Sequence, residues 1–125
     1  MKTYNLDLPE RPFRAIQNRT KKVEGRAPSS TENIYNEMKH GDTLVFTNES
    51  TGEKLNTEVL FVHHYDDIKT MLQSEGVENV LSSEPKTIEH GIESYNSFTN
   101  YKENINKYGI YAIGIKTPDL PKANT

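Results

Sequence analysis

Tyr4, Leu6 and Leu8 alternate with polar residues, and this period of two predicts a short strand with one buried face. Pro9 and Pro12 suit the first turn of a helix. Phe13, Ala15 and Ile16 supply that helix with an inner face. Residues 20–27 alternate again and predict a second strand. Ser29-Ser30-Thr31-Glu32 has the spacing of a capping box, with Ser29 as cap and Glu32 reaching back. It predicts a helix that places Ile34, Tyr35 and Met38 on one face and ends at Gly41.

Residues 43–47 and 55–65 flank Asn48-Glu49-Ser50-Thr51-Gly52, which is turn chemistry, so they predict a hairpin. Val59-Leu60-Phe61-Val62 is apolar on both parities and predicts burial on both faces there. Asp66 or Asp67 caps a short helix carrying Ile68, Met71 and Leu72, which Gly76 closes. Residues 77–84 read as a loop anchored by Val80 and Leu81. Ile88, Ile92, Tyr95 and Phe98 then recur every three or four positions, as in an amphipathic helix. Gly91 within it costs about 1 kcal/mol relative to Ala, a cost that close packing would justify. Gly109 stops the pattern, and 110–116 form a closing strand. The order is β-α-β-α-β-β-α-α-β. Helices do not alternate strictly with strands, so the expected fold is α+β, a small mixed β-barrel with helices packed around it. Residues 1–117 are expected to form a single domain and 118–125 a flexible tail.

A chain of 125 residues can bury a core without metals or disulfides. It has no cysteine, which excludes a thiol nucleophile, a disulfide and cysteine-ligated zinc. No apolar run approaches the roughly 18 residues of a membrane span, and 1–5 lack the apolar core of a signal peptide. The expectation is a cytoplasmic protein without membrane contact. No glycine-rich dinucleotide fingerprint and no P-loop occur, so no cofactor is expected. His63 and His64 are adjacent on a strand and point to opposite faces, so no metal site is expected. The sequence does not fix the oligomeric state.

Charge is unevenly spread. Residues 1–26 hold seven Lys or Arg against three acids, whereas the remaining 99 hold eight against fifteen. A net charge of -3 argues against a general nucleic-acid coat. A basic segment on an acidic body suits a small anionic ligand bound locally. Within that segment, Lys21, Glu24 and Arg26 stand out. A carboxylate between two cations stays ionised and fixed. Glu24 and Arg26 share a strand face with Cα atoms about 6.6 Å apart. Lys21 has the opposite parity and needs a bulge or turn at 20–22 to join them. Such a trio can take an anionic or carbonyl oxygen on Lys21 and Arg26. Glu24 can accept from a base amino group or act as a base. The alternative is a surface ion pair worth about 0–1 kcal/mol. Among seven tyrosines, Tyr101 and Tyr108 are candidates to stack and hydrogen-bond a base, whereas Tyr95 sits on the apolar stripe of its helix.

Pro-Phe-Arg-Ala-Ile-Gln at 12–17, the charged block at 19–26, and His-Gly-Asp at 40–42 before a hairpin resemble the ASCH domain, a family of the PUA-like β-barrel superfamily. The family signature runs Gly-x-Lys-x-x-Glu-x-Arg. Lys21, Glu24 and Arg26 match it, and Arg19 stands at the glycine position. Gly76-Val77-Glu78, 88–95 and 108–113 resemble the second half of small stand-alone bacterial members. The resemblance implies a cleft beside the barrel that binds RNA, a nucleotide or a modified nucleoside, lined by Lys21, Glu24 and Arg26. It also implies an alternative: a small hydrolase, either an amidohydrolase on acetylated cytidine or a ribonuclease, with Lys21 and Glu24 as the catalytic pair. Amidohydrolase members use a threonine nucleophile at the position of Glu24, and a carboxylate is a poor substitute for a hydroxyl in amide cleavage. They also place an auxiliary carboxylate near Glu75 and Glu78.

Overall fold

The last strand of the chain lies inside the sheet. In a computed structural model, which describes residues 1–119, the elements run β1 (Thr3–Leu8), α1 (Glu10–Gln17), β2 (Val23–Arg26), a 3-10 turn (Tyr35–Glu37), β3 (Thr43–Asn48), β4 (Lys54–Tyr65), α2 (Ile68–Glu75), α3 (Val77–Val80), α4 (Ile88–Asn96), α5 (Tyr101–Tyr108) and β5 (Ile110–Lys116). The five strands form one sheet in the order β1-β3-β4-β5-β2. The β1/β3 pair is parallel and the other pairs are antiparallel. The sheet curls into a half-barrel with helices packed on it, a mixed α+β fold.

β5 is apolar on both parities because both of its faces are covered. Ile110 and Ala112 enter one core with α2, α3, α4 and α5. Ile113 and Ile115 enter a second core with β1, α1 and β3. In β1, Leu6 and Leu8 face this second core, as their spacing predicts, and Phe13, Ala15 and Ile16 of α1 are buried. Asp67 caps α2 by accepting from the Thr70 N–H at 2.7 Å. Gly91 lets α4 approach α2 closely, since a Cβ there would collide with Leu72.

Four local expectations are corrected. First, the capping box at 29–32 does not start a helix. The Ser29 N–H donates to the Glu32 carbonyl in a backbone turn, and Ser29 Oγ lies 3.2 Å from Thr31 Oγ1. Short hydroxyl side chains compete with helix formation in this way. Only Tyr35–Glu37 wind, so that Asn33 and Tyr35 reach Tyr111. Second, Val77–Val80 is a helical turn rather than loop, because Gly76 at φ 91 ends α2 and a new turn starts at once. Third, the Val59–Val62 run is not buried on both faces. The β4/β5 register shifts between Val59 and Phe61, leaving Val59 at 0% exposure and Leu60 at 40%. A bulge of this kind bends a strand and adds twist. Fourth, the second strand begins at Val23, and residues 20–22 are irregular. Pro118 and Asp119 lie beyond β5, and the rest of the expected tail, 120–125, lies outside the described residues.

Candidate functional site

The chain leaves α1 through Arg19, whose φ of 70 is left-handed. That conformation costs an L-residue roughly 1–2 kcal/mol, which gives a physical reason for glycine at this position of the signature. The Arg19 side chain reaches Asp119 at 2.6 Å and does not border the cleft described below. The Lys21 N–H then donates to the Ala15 carbonyl. This turn directs Lys21 inward beside Glu24, against its strand parity.

Lys21 Nζ lies 3.3 Å from Glu24 Oε1, and Arg26 Nε lies 2.7 Å from Glu24 Oε2. The side chains of Lys21, Glu24 and Arg26 are 4%, 7% and 18% exposed. Lys21 Nζ also donates to the carbonyls of Val23, at 2.7 Å, and Val80. Its three N–H groups therefore have three acceptors inside the protein. Arg26 donates a further bond to the Asp7 carbonyl at 2.7 Å. Burial alone pushes the Glu24 carboxyl up, but Lys21 and Arg26 together outweigh it and hold it below the ordinary value. Burial draws the Lys21 ammonium down, opposed by Glu24. For Arg26, burial is outweighed by Glu24 and Tyr101, and the guanidinium stays charged. The cluster is one anion between two cations, removed from bulk water.

Glu24 and Arg26 form part of the lining of a cleft of about 370 Å3. One wall is aromatic. Tyr95 and Tyr101 stack nearly parallel, with centroids 6.4 Å apart, and Phe98 meets both edge-on at 5.9 and 5.3 Å. Phe98 is 49% exposed although it is a large apolar side chain. The Tyr95 hydroxyl lies against the backbone at Gly25, where a Cβ would collide with it. Burial, and next the charge of Glu24, push the Tyr95 phenol well above its usual range. Burial also raises Tyr101, against the pull of Arg26. Both rings remain neutral hydroxyl bearers at physiological pH.

Of the residues singled out from sequence, Lys21, Glu24, Arg26 and Tyr101 come together here. Tyr108 does not: it closes α5, away from the cleft, and its carbonyl is bonded to His64 Nε2 at 2.7 Å. Glu75 is also elsewhere, accepting from the Tyr65 hydroxyl and paired with His63 Nδ1. His63 and His64 have separate partners. Among the described residues no cluster of three His, Asp or Glu side chains could hold a metal. Sequence reasoning missed Phe98, Ser82 and Ser83 as cleft residues, did not single out Arg11 within the basic segment, and favoured core packing for Tyr95 over a place in the cleft. The spacing of three in Tyr95, Phe98 and Tyr101 continues a helical stripe, so periodicity carries no signal for the break after α4, at Asn100 with φ 65.

The family model of the ASCH domain matches residues 6–119. The chain belongs to the ASCH domain family. The curled half-barrel is the PUA-like fold of that family, a module often linked to RNA binding. Two solved structures are similar to this ASCH domain. One is the crystal structure of hypothetical protein PH0355, with 33% identity and a TM-score of 0.78, covering 93% of this chain and 99% of that one. The other is the solution NMR structure of protein PF0455 from Pyrococcus furiosus, with 34% identity and a TM-score of 0.72, covering 94% and 99%. No curated protein matches the chain. No helix among the described residues is long and apolar enough to cross a membrane.

Proposed function

We propose that this ASCH domain binds RNA, a nucleotide or a modified nucleoside by taking a single base into the cleft. The observation that carries the reading is the ionised, nearly dry Glu24 on the lining of a cleft with an aromatic wall. Of the roughly four lone-pair positions of a carboxylate, Lys21 and Arg26 take two. Those left call for N–H donors, which the amino group of cytosine, adenine or guanine supplies. Phe98, exposed beside Tyr95 and Tyr101, offers a ring face for the same base. A cleft of about 370 Å3 is at the small end of the roughly 300–1,000 Å3 usual for ligand sites. It suits one nucleoside unit rather than a length of strand.

Binding without turnover is favoured over hydrolysis. A general base works best with a pKa near the working pH, and Glu24 is held below even the ordinary carboxylate value. Lys21, with all three N–H groups engaged, has no proton directed at a substrate. Calorimetric titration with the four ribonucleosides tests the reading. Amino-bearing bases are expected to bind about tenfold or more tighter than uridine, with no product by mass analysis. Phe98→Ala is expected to weaken binding by about 1–3 kcal/mol. Uridine binding as tightly as the others, or conversion of ligand, contradicts the proposal.

A further inference from the structure

The cleft has a chemical polarity that separates a nucleotide from a nucleoside. Three of the four arginines are matched by carboxylates: Arg14 by Glu10 and Glu53, Arg19 by Asp119, and Arg26 by Glu24. Arg11 borders the cleft, is exposed, and pairs with no carboxylate among the described residues. Among the described residues its side chain makes one hydrogen bond, a long one from Nε to Ser82 Oγ at 3.4 Å. Ser82 and Ser83 border the same cleft. Ser83 Oγ lies 2.8 Å from His90 Nε2, and His90 is not itself part of the lining. When His90 donates in that bond, the Ser83 hydroxyl is free to donate into the cleft. The Glu24 carboxylate is an acceptor, whereas Arg11, Ser82 and Ser83 bring together a charge and three donor groups.

We infer that Arg11, Ser82 and Ser83 form an anion subsite that takes the phosphate of a nucleotide whose base contacts Glu24. The inference rests on the base-binding reading above and narrows its ligand to a phosphorylated one. An unpaired guanidinium and neighbouring hydroxyls are a suitable donor set for phosphate oxygens. Lys21 cannot serve in this way, since its donors are committed to Val23, Val80 and Glu24. Two groups oppose the subsite. Asp7 and Glu49 also border the cleft with exposed side chains, and neither makes an ion pair with Arg11. Their repulsion reduces the preference for an anion without removing the donors.

The test compares cytidine with cytidine 5′-monophosphate, and adenosine with its monophosphate, by calorimetry on the full chain. The wild type is expected to bind each monophosphate roughly tenfold tighter than its nucleoside, with the ratio shrinking as salt rises. Arg11→Ala should bring the ratio close to one. Glu49→Gln should enlarge the ratio. Arg11 is exposed, so a matching melting temperature is expected for its variant. A wild-type ratio of one, or a ratio that survives in Arg11→Ala, overturns the subsite while the base reading stands. A phosphate preference that uridine 5′-monophosphate shares, at the same affinity as the cytidine and adenosine monophosphates, supports the subsite and overturns the base reading. Absence of binding by both ligand types overturns both.

Discussion

Two ionic clusters in this protein use the same groups and live in different solvents. On the surface, Arg14 is gripped by Glu10 at 2.6 Å and by Glu53, with all three side chains 39–46% exposed. Inside, Glu24 is gripped by Lys21 and Arg26, with side chains 4–18% exposed. The outer trio is one cation between two anions and the inner trio is its inverse. Water screens the outer one, and each member stays solvated if a partner is lost. In the inner cluster, loss of the carboxylate leaves two cations with neither water nor counter-charge. Geometry alone does not distinguish them. Burial determines that one is a surface decoration and the other a fixed electrostatic element bordering a cleft.

The comparison can be broken at three points. Glu24→Ala has the largest expected effect, a loss of about 3–5 kcal/mol and a melting temperature lower by more than about 10 °C. Glu24→Gln keeps the shape but removes the counter-charge, so it too is expected to destabilise. A surface pair would predict almost no change for either variant, and calorimetric melting separates the two cases. Gly25→Ala comes next. Its Cβ would collide with the Tyr95 hydroxyl, so overpacking of about 1–3 kcal/mol is expected. Nucleoside affinity should fall as well, because Tyr95 belongs to the aromatic wall. Arg14→Ala is expected to move the melting temperature by no more than about 2 °C, with no effect on binding. A larger drop would show that the outer cluster carries weight its exposure does not explain.

Much of this architecture was legible in the periodicity. Leu6 and Leu8 alternate, Phe13 and Ile16 share a face, and the turn at 48–52 announces the hairpin. What failed was local chemistry with two outcomes. Ser29 and Glu32 carry the residues of a cap, but the hydroxyls at 29 and 31 turn on each other instead. The stripe ending at Phe98 reads as helix, and the left-handed Asn100 that frees Phe98 from it is invisible to periodicity. The trio of Lys21, Glu24 and Arg26 was legible as types and spacing, whereas its burial was not. Lys21 reaches Glu24 because Arg19 turns the chain, a backbone event no parity rule contains. Tyr108 carried the right chemistry at the wrong end of α5, where only the fold shows its distance from the cleft.

Proton linkage gives the most direct access to the inner cluster. The pKa of Glu24 in the folded protein lies below its ordinary value of 4.5, so its stabilising contribution is complete above about that pH. It fades as pH falls through the folded value, where the native carboxylate takes up its proton. The decisive measurement is a 13C NMR titration of the Glu24 side-chain carboxyl in the folded protein. A midpoint below 4.5 is the predicted result. A midpoint at or above 4.5 would mean that burial outweighs Lys21 and Arg26, and it would contradict the account of the cleft.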